Sequence, residues 1–313
     1  MRAVQATPAA PPADPSTIEV GADSLVGTVL GDRYQIEEII GEGGMGRVYL
    51  AQHKLLGKRF ALKVLHPELA ANRELAERFV REARAASSIE SDHVVDISDF
   101  GLLPDGTGYF VMEYLDGKDL EERLDDEGPQ SADFTRRIGV QVADAIRGAH
   151  AETIVHRDLK PSNIVIAQRK GKDFCKILDF GIAKSPTSDS GGSGQTLVTQ
   201  VGVMMGTPHY MAPEQIDGEV DPRSDIYALG IVLFEMLAGN PPFDAESIAE
   251  LLAKQKWSAP PSIHEAYADA DCPPELEAVV RKCLEKKPED RYQEAGEVIE
   301  ALEALTTTTA AEA

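Results

Sequence analysis

The sequence predicts an α+β protein with two lobes, a small β-rich lobe with one helix followed by a larger, mainly helical lobe. From Tyr34 to about Met112 the apolar residues come in short, mostly β-like runs, with one helical exception. Beyond Asp116 they recur at helical spacing. With 313 residues, 42% of them hydrophobic, the chain can bury a substantial core.

Composition excludes several classes of protein. The net charge of −22 argues against a nucleic-acid backbone or an anionic membrane as the main partner. The three cysteines show no Cys-x-x-Cys spacing, so a disulfide framework or zinc cluster is not indicated and a reducing, cytoplasmic setting fits best. The most apolar stretch, Ile226 to Ala238, contains Glu235 and is shorter than the ~20 residues of a membrane span. We therefore expect a buried core helix there and no membrane segment.

The ends of the chain differ in composition from its centre. The first residues are rich in Ala and Pro and lack a periodic apolar face, and a Thr-rich stretch closes the chain. We therefore predict a disordered tail over 1–25, a folded unit over 31–305 (small lobe 31–112, connection 113–115, large lobe 116–305) and a linker or tail over 306–313.

A glycine-rich segment, Gly41 to Val48, follows the apolar run Ile36 to Ile40 in a Gly-x-Gly-x-x-Gly-x-Val pattern. Glycines let backbone amides approach phosphate oxygens without an intervening Cβ. Two other interpretations exist for this glycine pattern. It occurs at the start of dinucleotide-binding folds, where a helix follows it, and it also occurs in ordinary turns. Here β-type residues follow, which favours a glycine-capped hairpin.

The next predicted strand, Arg59 to Leu65, places Lys63 on the same face as Ala61. A surface lysine on an edge strand is the alternative interpretation. The predicted helix between Asn72 and Ile89 carries Glu82 on its apolar stripe, where an acid requires a cation. We therefore predict that Lys63 and Glu82 form a pair.

The strongest motif begins at His156-Arg157-Asp158 and ends at Asp179-Phe180-Gly181, with two short strands between. The antiparallel strands predict that Asn163 and Asp179 lie side by side. Two oxygen donors suit Mg²⁺, which takes one or two carboxylates plus phosphate oxygens. Asp158 is expected nearby, where it can accept a proton. Turn residues or helix caps would explain each acid singly but not the ordered set.

Four helices are predicted in the large lobe, and one low-complexity Ser/Gly stretch is predicted to be a flexible loop. The helices are Phe134 to Ala151, Asp225 to Leu237, Pro274 to Leu284 and Ala295 to Leu305, and the loop is Ser185 to Gly194.

Taken together, these motifs resemble the eukaryotic-type (Hanks-type) protein kinases over residues 34–305. The likeness continues with Ala212-Pro213-Glu214, with the segment from Asp225 to Gly230, and with Arg291, which the family typically pairs with the glutamate matching Glu214. The resemblance implies a bilobal protein-kinase-like fold, with the connection at 113–115 as a hinge.

The resemblance also implies the role of each site residue. Lys63 would contact the α- and β-phosphates of ATP, paired with Glu82; Asp158 would orient the substrate hydroxyl, and Lys160 would steady the γ-phosphate. Asn163 and Asp179 would hold Mg²⁺, with Mn²⁺ as an alternative. The remaining nucleotide contacts are expected from Ile40, Gly41, Gly43, Gly46, Val48, Ala61, Met112 (gatekeeper), and the hinge backbone of Glu113 and Leu115.

The sequence Asp-Leu-Lys-Pro-Ser-Asn around Lys160 is similar to the serine/threonine branch of the family, as is Gly206-Thr207-Pro208, and leaves tyrosine specificity a minor alternative. The glycine-rich segment looks most like that of the bacterial members. On that likeness, the Thr-rich end is the start of a linker to a further domain or membrane segment. A nucleotide-binding pseudokinase scaffold and a small-molecule kinase are the other hypotheses. The intact motif residues disfavour the scaffold, and the long segment that ends at Ala212-Pro213-Glu214, together with Thr207, disfavours the small-molecule kinase.

Arg157 precedes Asp158, and the resemblance implies a role for it in regulating activity. In this family an arginine at that position commonly binds a phosphorylated residue of the activation segment, which here runs from Asp179 to Glu214. We expect autophosphorylation, with self-association for transfer between copies. Thr199 and Thr196 are the leading acceptors, with Thr187, Ser188 and Ser190 as alternatives.

Overall fold

The computed structural model describes residues 25–180, 208–219 and 221–309, with side chains through residue 305. The described part has a β-rich small lobe and a mainly helical large lobe. The strands of the small lobe are β1 (Val29–Leu30), β2 (Tyr34–Glu42), β3 (Gly46–His53), β4 (Arg59–Leu65), β5 (Ile97–Leu102) and β6 (Gly108–Glu113), and its helices are α1 (Pro67–Ala70) and α2 (Arg73–Ser88).

The small lobe is an antiparallel sheet in the order β1-β2-β3-β4-β6-β5, with an apolar cluster on each face. Side chains alternate along β4, so Leu62 packs into one cluster and Ala61 into the other. Helix α2 packs on the second cluster through Phe79. The side chain of Asn72 caps α2 by accepting from the amides of Glu74 and Leu75, which fixes its start at the predicted residue.

The folded part begins earlier than predicted. Leu25, assigned to the tail, is buried with Leu30 and Tyr34 in the first apolar cluster, and β1 precedes the expected start at residue 31. Two isolated leucines are too few to show a period of two, so the sequence pattern misses them. Helix α1 is a second correction, because only one helix was expected in this lobe. It is a single turn that begins at Pro67, too short to show a helical period.

The large lobe adds a three-stranded sheet in the order β7-β8-β9 and a set of helices. The strands are β7 (Gly117–Asp119), β8 (Ile164–Arg169) and β9 (Lys172–Ile177), and the helices are α3 (Leu120–Glu127), α4 (Ala132–Ala151), α5 (Pro213–Ile216), α6 (Arg223–Ala238), α7 (Ile248–Trp257), α8 (Ile263–Ala266), α9 (Pro274–Cys283) and α10 (Ala295–Thr309).

Helix α6 is the centre of the large lobe and is buried along almost its whole length. It packs against α4 and α9, and its inward residues join the largest apolar cluster of the described chain. This confirms the buried core helix predicted from the apolar run at Ile226 to Ala238. In the described residues, no helix combines the length and apolar character needed to cross a membrane.

Helix α10 is longer than predicted, because it continues past Leu305 to Thr309 and so takes in the first part of the expected linker. Once a helix is nucleated, each added residue forms one more backbone hydrogen bond, and threonine tolerates the interior of a helix.

The only tryptophan of the chain, Trp257, ends α7 and is 78% exposed. Its neighbour Lys256 forms an ion pair with Asp217, just after α5, and lies 5.2 Å from the centre of the Trp257 ring. Helix α7 therefore packs beside α5 while its last side chain faces solvent.

A buried ion pair joins two distant parts of the large lobe. Arg291 donates through Nη1 and Nη2 to the two carboxylate oxygens of Glu214, at 2.7 and 2.8 Å, and its side chain has no exposed surface. Ser224 Oγ donates to Glu214 Oε1 at 2.6 Å. The predicted pairing of Arg291 with Glu214 is confirmed, and it fixes α5 against the start of α6.

Replacing Arg291 by Met should lower the free energy of unfolding by about 3–5 kcal/mol, because the Glu214 carboxylate would stay buried without its cation. Urea unfolding followed by circular dichroism measures this. Arg281→Met is the matched control, since Arg281 pairs with Glu277 on the surface of α9 and should cost less than about 1 kcal/mol. Equal losses in the two variants would contradict the prediction.

Candidate functional site

The glycine-rich segment forms the predicted hairpin between β2 and β3, with Gly43 N donating to Gly46 O at 2.9 Å. A Cβ on Gly46 would collide with the carbonyl of Val64, so glycine is required there by close backbone approach. Ile40 is 43% exposed beside the turn. The hairpin thus presents an exposed turn at 42–44 and an exposed apolar side chain beside it.

Lys63 lies in the middle of the sheet and not at an edge, because β4 pairs with both β3 and β6. Val48 lies opposite Lys63 in the register with β3, and Ala61 lies opposite Met112 in the register with β6. Val48, Ala61 and Met112 belong to one apolar cluster. A strip of small and apolar side chains therefore runs along the same face as the Lys63 ammonium.

Lys63 contacts two carboxylates. Its Nζ lies 3.2 Å from Glu82 Oε1 and 2.7 Å from Asp179 Oδ1. The predicted pair of Lys63 and Glu82 is present, with both side chains buried. Burial acts to lower the pKa of Lys63, but Asp179 and Glu82 outweigh it and raise that pKa above its usual value, so Lys63 is an ammonium at neutral pH.

The loop that carries Asp158 is fixed from below by an acid of α6. Asp225 Oδ2 accepts from the amide of His156 at 2.8 Å, and Oδ1 accepts from the amide of Arg157 at 2.9 Å. Asp225 is 1% exposed, and His150 Nε2 lies 2.9 Å from its Oδ2. These bonds hold Arg157 in a left-handed backbone conformation with φ 66°.

His156 joins this loop to the residue before Asp179. Its Nε2 lies 3.2 Å from Leu178 O, and its Nδ1 accepts from the amide of Asp158 at 3.3 Å. Burial lowers the pKa of His156, which favours the neutral ring. A neutral ring that donates through Nε2 and accepts at Nδ1 satisfies both contacts.

Asn163 and Asp179 are brought together at the mouth of the hairpin of β8 and β9, as predicted. The amide of Leu178 donates to Asn163 O at 2.8 Å, and Ile164 lies opposite Ile177 in the register. Asn163 Nδ2 donates to the carbonyl of Asp158 at 2.9 Å, so its Oδ1 remains for another partner. Asp179 has a left-handed backbone with φ 46°, and its side chain is 44% exposed.

The connection between the lobes follows β6 at Glu113. The amide of Glu113 donates to Asp96 O at 3.0 Å, which leaves the Glu113 carbonyl as the backbone group of this residue able to meet a ligand. Leu115 and Tyr114 follow before β7 begins at Gly117. The predicted hinge therefore lies where β6 ends, in a short segment without regular secondary structure next to Met112.

A surface pocket of about 420 Å³ lies between α2 and the loop before Asp158. Arg81 and Arg84 of α2 line it together with Arg157. Arg157 Nε and Nη1 are buried without a hydrogen-bond partner, and within the described ranges none of the three guanidinium groups pairs with a carboxylate. In a chain of net charge −22, three unpaired arginines in one pocket indicate a site for an anion.

The short turn that follows residue 207 is tied to α6 and α7. Tyr210 OH donates to Glu235 Oε2 at 2.7 Å, and Gln255 of α7 donates to the carbonyl of His209. Burial raises the pKa of Glu235 to about 7, the Tyr210 hydroxyl opposes this, and the nearby charges of Glu121 and Asp125 add to it.

Because the folded state keeps the Glu235 proton to higher pH than the unfolded state, the free energy of unfolding should fall as pH rises from about 4.5 to about 7. The expected loss is about 1–3 kcal/mol. Glu235→Gln should flatten this part of the profile, measured by denaturant unfolding between pH 4.5 and 8. Glu300→Gln, an exposed glutamate of α10, should keep the wild-type slope. Identical slopes in the two variants would refute the assignment.

Two residues that fix the loop at Asp158, namely Asp225 and His150, were not predicted from the sequence as site residues. The signal for Asp225 was available, because an acid in the first turn of an apolar helix needs a buried partner. Thr196, Thr199, Thr187, Ser188, Ser190 and Gly206-Thr207, with the Ser/Gly stretch and residues 1–24, lie outside the described residues.

Comparison with known proteins identifies protein kinases as relatives of this chain. The family model described as "Protein kinase domain" matches residues 34–303. The chain is 40% identical to the serine/threonine-protein kinase pkn3 of Myxococcus xanthus over 86% of this chain and 49% of that protein. It is 40% identical to the serine/threonine-protein kinase PknB of Mycolicibacterium smegmatis over 86% of this chain and 42% of that protein. The chain thus spans less than half the length of these curated relatives.

Solved structures agree on the fold. The Mycobacterium tuberculosis PknI kinase domain superposes with a TM-score of 0.66 at 29% identity, covering 90% of this chain and 99% of that one. The structure of Rad53 1-466 in complex with AMP-PNP superposes with a TM-score of 0.68 at 26% identity, covering 85% of this chain and 64% of that one.

Proposed function

The chain belongs to the protein kinase family, and from that premise we propose that it transfers the γ-phosphate of ATP to serine and threonine hydroxyls of proteins. The observation that carries the proposal is the convergence of Lys63, Glu82 and Asp179, from three separate segments of the chain, into one charge cluster. The names of the curated relatives and the AMP-PNP in the Rad53 structure support it.

Lys63 supplies positive charge for the α- and β-phosphates, and Glu82 holds its side chain in the cleft. Glu82 can do so because α2 is anchored on the sheet through Phe79. The glycine hairpin covers the phosphates with its turn, where Gly43 is exposed and backbone without a Cβ can approach them closely, while Gly41 and Gly46 belong to the flanking strands. Adenine packs against Val48 and Ala61, with Ile40 closing the cleft and Met112 as gatekeeper.

The hinge binds adenine through its backbone. Since the Glu113 amide is already used by Asp96, Glu113 contributes its carbonyl, and Leu115 contributes the amide two residues on. These polar groups, set against an apolar strip, are the usual composition of a site for a planar heterocycle.

Asn163 and Asp179 would hold a divalent cation, with Mg²⁺ the expected ion and Mn²⁺ an alternative. The Oδ1 of Asn163, which has no hydrogen-bond partner among the described residues, and the half-exposed Asp179 carboxylate fit, because Mg²⁺ is usually bound by one or two protein oxygens with phosphate oxygens and water. In the described part of the chain no three His, Cys, Asp or Glu side chains are placed to bind a metal, as expected if phosphates complete the site. When bound, the cation neutralises the charge that develops on the transferred group.

Asp158 orients the acceptor hydroxyl and accepts its proton, while Lys160 steadies the γ-phosphate. The backbone bonds of Asp158 to His156 and Asn163 fix its position relative to Asp179. The pseudokinase scaffold is disfavoured because each of these groups is intact and correctly connected. The folded unit we assign to this activity runs from Leu25 through α10.

The direct test is phosphate transfer from labelled ATP with Mg²⁺, reading label on the chain and on a generic basic protein. Label on phosphoserine or phosphothreonine is the expected result. Label on phosphotyrosine would overturn the specificity, and ATP binding without transfer would favour the scaffold.

Regulation by autophosphorylation rests on the arginine pocket. A phosphate on the activation segment would bind Arg157 and the two α2 arginines, Arg81 and Arg84. Because α2 carries Glu82, binding there would hold the Lys63 and Glu82 pair in place. Thr199 and Thr196 are the proposed acceptors, and transfer between two copies is the proposed route.

A Thr196→Ala/Thr199→Ala variant should lose about 10-fold or more in activity, because several charge-assisted hydrogen bonds are no longer formed. Activity of the purified chain before and after incubation with ATP measures this. The control is Thr306→Ala, at the end of α10, which should keep full activation. Full activity of the double variant would refute the acceptor assignment.

A further inference from the structure

A partly buried ion pair on the hinge has no role in the function proposed above. Lys176 Nζ of β9 lies 2.5 Å from Glu113 Oε1 at the end of β6, with the two side chains 12% and 32% exposed. Both residues line a groove of about 660 Å³ that also includes Asp92 and Phe174. Of the residues proposed to contact the nucleotide, this groove includes only Glu113 and Leu115, so the groove is distinct from the nucleotide cleft.

The pair joins three segments of the chain. Lys176 Nζ also donates to Val94 O at 2.9 Å, in the loop between α2 and β5. Glu113 Oε1 accepts a second hydrogen bond from the amide of Asp96 at 2.8 Å, and the Glu113 amide donates to Asp96 O at 3.0 Å. The Glu113 residue is therefore fixed through its backbone and its side chain at once.

The loop before β5 also continues the sheet of the large lobe. The amide of Ile177 donates to His93 O at 2.8 Å, the amide of Val95 donates to Ile177 O at 3.1 Å, and Val94 forms a parallel bridge with Ile177. One network thus connects the small lobe, the hinge and β9, and β9 leads directly to Asp179.

We propose that Lys176 is a positioning residue for the nucleotide. Its ion pair with Glu113 fixes the peptide whose carbonyl meets adenine and sets the distance from that peptide to Asp179, without Lys176 touching ATP. This rests on the proposed function, because the hinge must bind adenine for the pair to matter. Reduced motion of the hinge lowers the conformational entropy lost on binding, so a preorganised hinge binds ATP more tightly.

The test is equilibrium binding of a fluorescent ATP analogue with Mg²⁺ to the full chain. Lys176→Met keeps the length of the side chain and removes its charge, and should weaken binding about fivefold, the upper value of a partly exposed ion pair. Lys176→Arg keeps the charge and should restore most of the affinity. Lys172→Met, an exposed lysine of the same strand, should bind as the wild type does.

Steady-state kinetics separate positioning from general loss of structure. For Lys176→Met we expect KM for ATP to rise by the same factor as Kd, kcat to stay within about twofold, and faster amide exchange at residues 113–116. Unchanged affinity for the ATP analogue in Lys176→Met would overturn the inference. It would also be overturned if Lys176→Met lost affinity together with a fall in Tm and Lys176→Arg did not restore that affinity. If the wild-type chain binds no nucleotide, the proposed function itself fails.

Discussion

Asp158→Asn should reduce kcat by about 10²–10⁴ while leaving ATP affinity unchanged, because an amide cannot accept the proton of the substrate hydroxyl. The two hydrogen bonds described for Asp158 use its backbone, through His156 Nδ1 and Asn163 Nδ2, so the loop should keep its shape in the variant. Initial rates of phosphate transfer at saturating ATP, with nucleotide binding measured in parallel, are the measurements.

The matched control is Asp126→Asn. Asp126 lies on α3 and pairs with Lys118 on the surface, with the two side chains 59% and 63% exposed. The same change of chemistry there should leave transfer unchanged. If Asp158→Asn transferred phosphate at the wild-type rate, Asp158 would not be the group that orients the acceptor.

Lys63→Met should reduce kcat/KM by about 10²–10³, the usual cost of removing one group that stabilises developing charge. The variant removes the cation shared by Glu82 and Asp179 and leaves the buried Glu82 without a partner. Burial already raises the pKa of Glu82, so we expect that carboxyl to take up a proton in the variant at neutral pH.

Lys58→Met serves as the control for Lys63, because Lys58 is an exposed lysine just before the same strand and should have wild-type activity. Lys63→Arg should not restore activity, since a forked guanidinium does not reproduce an ammonium placed between two carboxylates. Wild-type kcat/KM in Lys63→Met would contradict the role given to the charge cluster.

Local sequence patterns were sufficient to predict the position of a site residue where a single strand or helix determines the direction of its side chain. The alternation along β4 predicted the face of Lys63, and the helical spacing from Asn72 predicted that Glu82 turns inward. Their contact could be inferred because a buried acid and a buried lysine need each other. The position of Asn163 beside Asp179, at the mouth of the hairpin, was likewise predicted from the antiparallel pairing of the two strands.

Contacts between distant segments were harder to predict. The pair of Lys176 with Glu113 joins residues 63 positions apart through a loop whose path the sequence pattern does not reveal. The arginine pocket depends on how α2 sits against the loop at Arg157, which is set by tertiary packing. The burial of Leu25 was missed for a related reason, because its partners come from other strands.

The exposure of Trp257 determines what intrinsic fluorescence can report. An indole already in contact with water changes its emission little when the chain unfolds, so unfolding should be nearly silent at tryptophan wavelengths although clear in circular dichroism. A protein that covers the end of α7 would instead transfer this single indole from water to an apolar contact. A blue shift on mixing would then report the binding of a protein beside α5, whether or not phosphate is transferred to it.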